Sequence, residues 1–264
     1  MPAPAPEILV GGDVASLSDT MQIGAMMDVI RLEGLDYGAT LEAEMFPDRG
    51  GAQWRAVVGL IYDAATMRRR FDAIFAAELA GDTAEIAEMQ AFFGSERGQR
   101  ILTLELQARR ALLDDATQEA ARVAVADMIA DQNPRMAMLR RFAETNDLIE
   151  SNVTGALNAN LAFYQGLSEA GAFGDAMTEE QMLLEVWSQE DNIRADTNDW
   201  LFPFLALAYE GLSDEDMAAY LAFSETAAGR KLNVAAFVAF DALFTAISRD
   251  LGRAAARHVQ GEDI

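Results

Sequence analysis

The fold class predicted is all-α: an internally duplicated multi-helix bundle with two pseudo-symmetric halves. Three observations predict it. Apolar residues recur at three- and four-residue spacing along most of the chain, as in Trp54, Val57, Val58 and Ile61 or Met136, Leu139 and Phe142, which is the period of one helix face. Residues able to accept from the first amides of a helix, such as Ser95, Thr178 and Ser213, stand just ahead of such stripes. One stretch occurs twice, 131 residues apart, with Ile86, Met89, Phe92, Ser95, Gly98 and Ile101 answered by Met217, Tyr220, Phe223, Thr226, Gly229 and Leu232.

Each copy of that stretch opens as a helix start. Thr83 or Ser213 can accept from a first-turn amide, and Glu85 and Asp216 place negative charge at the positive end of the helix dipole. Ser95 and Thr226 are placed to cap a second helix, and Gly94 to end the first. Gly98 and Gly229 then fall in the first turn, where glycine costs up to about 1 kcal/mol relative to alanine. Close approach of another backbone or ring is the expected compensation, with Phe92 and Phe223 as candidates. The alternative is a bare helix start holding an anion beside Arg100 or Arg230 and Lys231.

This pattern of acidic helix start, closing aromatic, hydroxyl three residues on and glycine three further resembles the helical repeat of the domain-of-unknown-function 2059 family of proteobacterial secreted proteins. The resemblance covers about 25 residues in each half. It implies an all-helical fold and a periplasmic or secreted address, and it brings no catalytic residues. The second copy departs from the first in having Ser224 opposite Phe93 and Glu225 opposite Gly94.

In chain order, residues 1–15 are expected to be a flexible segment. The opening Met1-Pro2-Ala3-Pro4-Ala5-Pro6 is too short and proline-rich for a signal peptide and resembles the start of a mature secreted chain whose leader has been removed. The first half is expected over 16–132. Ser16 or Ser18 opens a helix that Gly34 closes, a short helix follows over 36–45, and Phe46-Pro47-Asp48-Arg49-Gly50-Gly51 makes a turn. Trp54 to Leu79 predicts one long helix stopping at Gly81, and beyond Gly98 the helical pattern runs on through Ile101, Leu112 and Val125 to Asn133. Pro134 suits a first helical turn, so the second half, 133–257, starts there.

The stripe from Met136 to Tyr164 carries Asn146, Ser151, Asn152, Thr154, Asn158 and Asn160 on its flank. A solvated face is the expected role of that strip, with a wet cleft as the alternative. Gly166 to Gly174 is expected to be a loop, and Thr178-Glu179-Glu180-Gln181 a capping box. Pro203, inside a helical pattern, is expected to kink or restart its helix. The last helix carries Leu232, Phe240 and Ile247, and the tail 258–264 is expected to fray. No flexible linker separates the halves, so one unit is expected.

Composition bounds the function. A hydrophobic share of 51% over 264 residues supplies a core, and 43 acidic against 20 basic residues give a net charge of −23. Nucleic acid is therefore a disfavoured partner. No run of about 18 apolar residues is apparent, so no transmembrane segment is expected. With no cysteine and a single histidine near the end, His258, thiolate or imidazole metal sites and a Ser-His triad have no residues to draw on. Asp191 to Asp199 lacks the glycine and glutamate of a calcium loop. No phosphate-binding glycine motif occurs, and no cofactor, metal or catalytic set is expected.

The carboxylates Asp63, Glu78, Glu105 and Glu185 lie beside apolar stripes and are expected to pair with arginines such as Arg70 or Arg109. Trp187, Trp200 and Phe204, with Phe202, cluster around Pro203 and are the candidate frame of an apolar pocket, for which core packing is the plainer reading. The leading functional expectation is a non-enzymatic periplasmic or envelope protein that holds a partner protein or an apolar small molecule between its helices. A carboxylate-based hydrolase, with or without a divalent metal, and a structural oligomer subunit are the alternatives.

Overall fold

Capping residues set most of the helix boundaries. The computed structural model describes residues 13–47, 50–174 and 177–261, and among them it has thirteen α-helices and no strand. They are α1 (Val14–Thr20), α2 (Ile23–Met45), α3 (Gly51–Ile61), α4 (Ala64–Glu78), α5 (Thr83–Phe93), α6 (Glu96–Ala111) and α7 (Asp115–Ala130), then α8 (Pro134–Thr145), α9 (Leu148–Glu169), α10 (Glu179–Trp187), α11 (Glu190–Tyr209), α12 (Asp214–Ser224) and α13 (Ala227–Gln260).

Several boundaries differ from those read off the apolar stripes, each for a local reason. Asp13, rather than Ser16 or Ser18, caps α1, so only residues 1–12 of the expected flexible segment remain, and they lie outside the described residues. Gly34 does not end a helix. It lies inside α2, where a Cβ would fall 2.2 Å from the Tyr62 ring, so glycine is there for the packing of α3 against α2. The long helix expected from Trp54 to Leu79 is two helices. The Asp63 carboxylate accepts from the Thr66 amide at 2.9 Å and its hydroxyl at 2.7 Å, and this cap restarts the chain without a glycine or proline to announce it. Asp114 does the same through Thr117 between α6 and α7. Pro203 leaves α11 unbroken. Asn133 and Pro134 do open α8, and Thr178 with Gln181 forms the capping box of α10.

The repeated stretches form two short helix pairs of equal register. In each, a hydroxyl caps the second helix, Ser95 accepting from the Gly98 amide at 3.1 Å and Thr226 from the Gly229 amide at 2.9 Å. A Cβ on Gly98 would lie 2.3 Å from the Phe92 carbonyl oxygen, and one on Gly229 would lie 2.1 Å from that of Phe223. Both glycines are therefore packing positions, pressed on the backbone of the helix before them. Phe92 and Phe223 stack with ring centroids 4.2 Å apart and planes 12° from parallel. Three ion pairs cross between the pairs of helices, Arg97 to Asp216 at 2.7 Å and to Glu215 at 3.4 Å, and Lys231 to Asp82 at 2.9 Å.

Two apolar clusters make the core. One wraps α1 to α5 around α13, with Leu17, Met27, Trp54, Phe71 and Met89 against Ala235, Leu243 and Leu251. The other joins α6 and α8 to α11 and α12 through Ile101, Leu139, Phe142, Leu205, Tyr209 and Met217. Each cluster takes residues from both sides of Pro134, so neither side of the chain encloses a core of its own.

The first cluster is built on α13. This helix contains a stretch with mean hydropathy 1.4 and is long and apolar enough, by length and composition, to cross a membrane, which corrects the expectation that no such run exists. Only 28% of that stretch is buried within the protein; over residues 231–250 most of the remainder is part-buried, and Val234 and Val238 are exposed. Nor does the chain fray at His258, which is 8% exposed and packs on Phe46 and Trp54 with centroids 4.7 and 6.0 Å away. The helix continues to Gln260, and residues 262–264 lie outside the described residues.

Helix α9 runs parallel to α13, since Asn158 bonds Asp241 and Gln260 reaches the Ala170 carbonyl. Gly166, expected in a loop, is instead within α9 at its closest approach to α13. A Cβ on Gly166 would lie 2.2 Å from the Arg249 carbonyl oxygen, and one on Gly252 would lie 2.2 Å from that of Phe163. Backbone cannot yield as a side-chain end can, so Gly166→Ala or Gly252→Ala is expected to destabilise the fold by about 1–3 kcal/mol despite the better helix propensity of alanine. Gly155→Ala is the control, its nearest contact being 3.8 Å away. Thermal unfolding of the three variants checks this; equal melting temperatures at 155, 166 and 252 would contradict it.

Candidate functional site

Toward the other ends of α9 and α13 the two helices form part of the wall of a cleft of about 500 Å³. Small residues on α9, Gly155, Ala156 and Ala159, leave the space open. Opposite them α11 presents Trp200 and Phe204, one helical turn apart, with rings stacked at 5.1 Å and 6°. Phe237, Phe240 and Phe244 line it from α13, so most of the wall is apolar.

The polar part of the wall comes from several helices. Glu105 of α6 lies deep in the protein, where the Tyr209 hydroxyl donates to its Oε1 at 2.6 Å and the Tyr220 hydroxyl donates to the same oxygen at 3.3 Å. Burial pushes this carboxyl up from an ordinary 4.5 to about 7, outweighing the two hydroxyls, which favour its charged form. Burial, with the neighbouring carboxyl second, holds both phenols well above the usual tyrosine range. Glu105 is part-buried rather than sealed: one side meets the cleft.

Arg109, one turn along α6, is not the partner of Glu105. Its guanidinium is held by Glu33 through two hydrogen bonds of 2.6 and 2.9 Å and lies over the Trp200 ring at 5.9 Å. From α13, Asp241 accepts from Asn158 at 2.9 Å. Asn146, Ser151 and Asn152 are in the wall as well. The flank of α9 read as a solvated face is thus partly a cleft lining, while Thr154 is exposed. The amides of Asn146 and Asn152 are spent on the carbonyls of Phe142 and Leu148, and Asn233 donates to the Asn146 carbonyl.

Of the residues expected to frame a pocket, Trp200 and Phe204 are together in this wall. Trp187 is elsewhere: it ends α10 and is 62% exposed. Of the four carboxylates, Asp63 is a helix cap, and Glu78 lies close enough to Lys231 to favour its charge. Glu185 lines a shallow surface hollow beside Leu184, and Glu105 alone faces the cleft. Arg70 pairs with Asp250. The aromatic residues of α13 and the small residues of α9 that complete the wall are not assigned to a pocket from the sequence, whereas Asn146, Ser151 and Asn152 belong to the strip for which a wet cleft is the alternative; a Phe237-Phe240-Phe244 stripe facing Gly155, Ala156 and Ala159 is the signal that carries the rest. The repeat residues Phe92, Ser95, Gly98, Phe223, Thr226 and Gly229 build the helix pairs described above and lie outside the cleft wall.

Comparison with known proteins adds one finding. The model of a family described as an uncharacterized protein conserved in bacteria (DUF2059) matches residues 65–127, which run from the start of α4 into α7 and include the first of the two repeated stretches. That match supports the family resemblance carried by Phe92, Ser95 and Gly98. Neither a curated protein nor a solved structure matches the chain.

Because the folded state raises the Glu105 pKa, ionising it costs more in the folded protein than in the unfolded chain. Its contribution is complete below pH 4.5 and is lost as the pH rises through about 7. Wild-type protein is therefore expected to lose up to about 3 kcal/mol relative to Glu105→Gln between those limits. Urea unfolding of the two proteins at a series of pH values checks this, and a constant difference across the range would contradict it.

Proposed function

We propose that this chain is a duplicated helical scaffold of the bacterial cell envelope that binds an apolar small molecule between its helices and performs no chemistry on it. The observation that carries the binding reading is the cleft: about 500 Å³, walled largely by aromatic and small residues, with a smaller set of polar groups that includes Glu105 and its two tyrosine partners. Such a combination suits a ligand held mainly by burial and oriented by a small number of hydrogen bonds. The envelope address rests on the resemblance to a family of secreted proteins.

The duplication is supported by register. Helices α5 and α12 have identical bounds at the 131-residue offset, and α6 and α13 begin at equivalent positions behind equivalent caps. The stack of Phe92 on Phe223 is what equivalent residues beside a pseudo-twofold axis would make, and ion pairs run both from the start of α6 to α12 and from the start of α13 to the cap of α5, although through residues that are not equivalent at the 131-residue offset. On this reading α13 corresponds to α6 and α7 joined without the Asp114 break.

A carboxylate enzyme is the second reading, favoured by the presence of Glu105 and Asp241 in one wall. It would require turnover of a bound ester or glycoside that Glu105→Gln abolishes.

The binding reading is tested with 1-octanol as an apolar probe, titrated into the full chain and followed by nuclear magnetic resonance. Saturable binding that shifts the Trp200 indole signal is expected. Phe204→Ala should weaken it at least about tenfold, which is about 1.4 kcal/mol, while moving the melting temperature little, because Phe204 is only part-buried. No saturable binding by the wild type would overturn the proposal, and loss of folding in Phe204→Ala would make that residue core rather than wall.

A further inference from the structure

The charges in the cleft wall do not balance. Three charged residues line it, Glu105, Arg109 and Asp241, and the one cation is already neutralised by the two hydrogen bonds from Arg109 to Glu33. The two acids have only neutral partners. Glu105 receives two tyrosine hydroxyls, both on Oε1, and Asp241 receives the Asn158 amide. Glu105 Oε2 accepts from no group among the described residues, and it is not sealed off, since it is not among their buried atoms without a hydrogen-bond partner.

We infer that the cleft takes an amphipathic amine, its ammonium group donating to Glu105 Oε2 within the field of Asp241 and its hydrocarbon lying against Trp200, Phe204 and Phe240. This rests on the small-molecule reading above and gives that ligand its chemical class. Three physical terms favour it over a neutral or acidic amphiphile. An ammonium supplies the missing countercharge and a donor for the free oxygen, making a charge-assisted hydrogen bond. Aromatic faces attract a cation through their quadrupoles. The net charge of −23 raises the local concentration of cations and lowers that of carboxylates.

The groups around Glu105 fix the expected pH response. Tyr209 of α11 and Tyr220 of α12 stay protonated across the neutral range, Arg109 on the same helix is tied to Glu33 of α2, and α13 brings Asp241. Helices α8 and α9 contribute Phe142 and neutral amides to the wall. Glu105 is thus the group that changes charge near pH 7. An alkylammonium, like lysine, keeps its proton well above that range, so amine affinity should rise as Glu105 ionises.

The experiment titrates octylamine, 1-octanol and octanoate into the full chain at pH 6 and pH 8, for wild type and Glu105→Gln. Octylamine is expected to bind at least about tenfold tighter than 1-octanol at pH 8, and to gain roughly tenfold between the two pH values as the ionised fraction of Glu105 rises. In Glu105→Gln both the preference and the gain should vanish while 1-octanol still binds. Equal affinities for amine and alcohol, tighter binding of octanoate, or an amine preference that survives Glu105→Gln would each overturn the inference and leave the small-molecule reading standing. Failure of all three probes to bind the wild type would overturn both.

Discussion

The parallel contact of α9 with α13 at Gly166 and Gly252 is the constraint on which the rest of the arrangement depends. Each glycine admits the other helix's backbone to a distance at which a methyl group would overlap a carbonyl oxygen. Glycine in a helix interior costs up to about 1 kcal/mol in propensity, so its use in both helices marks a site where proximity outweighs helix stability. Once that end is closed, α13 is held in the middle of the molecule, with α1 to α5 gathered on it as one apolar cluster.

The open part of the same helix pair leaves the cleft. Small residues on α9 fail to fill the space that Phe237, Phe240 and Phe244 face, and the third side is closed by α11 with its stacked Trp200 and Phe204. Into this apolar surround the fold places a carboxyl. Burial raises the cost of ionising Glu105, and two tyrosine hydroxyls offset part of that cost.

The junction of the repeated stretches ties the two sides of the chain together by different means. Stacked phenyl rings and three crossing ion pairs bring α5 and α6 against α12 and α13. The exposed members of those ion pairs, such as Glu215 at 89% side-chain exposure, add little stability in water, so the stacked rings carry the junction. Lys231 and Arg97 set its register instead.

Much of this was legible in the amino-acid sequence alone. Helical periodicity, caps such as Thr178, Ser213 and Asn133, and the paired Phe92-Ser95-Gly98 and Phe223-Thr226-Gly229 patterns determined an all-α chain and the placing of several helices, because each is a local property of a few neighbouring residues. Trp200 and Phe204 could be paired for the same reason, being one turn apart on one face. What only the tertiary structure decided is whatever depends on residues far apart in the chain. Gly34 and Gly166 as contact points rather than helix ends, and His258 as a packed residue, follow from partners tens to hundreds of positions away, whereas Asp63 and Asp114 cap through Thr66 and Thr117, a local signal hidden by the continuous apolar stripes. Glu105 is the clearest case. Its spacing on α6 cannot distinguish a carboxylate paired with Arg109 from one left between two tyrosines. That outcome is settled because Glu33 from α2 takes the arginine and α11 and α12 supply the hydroxyls.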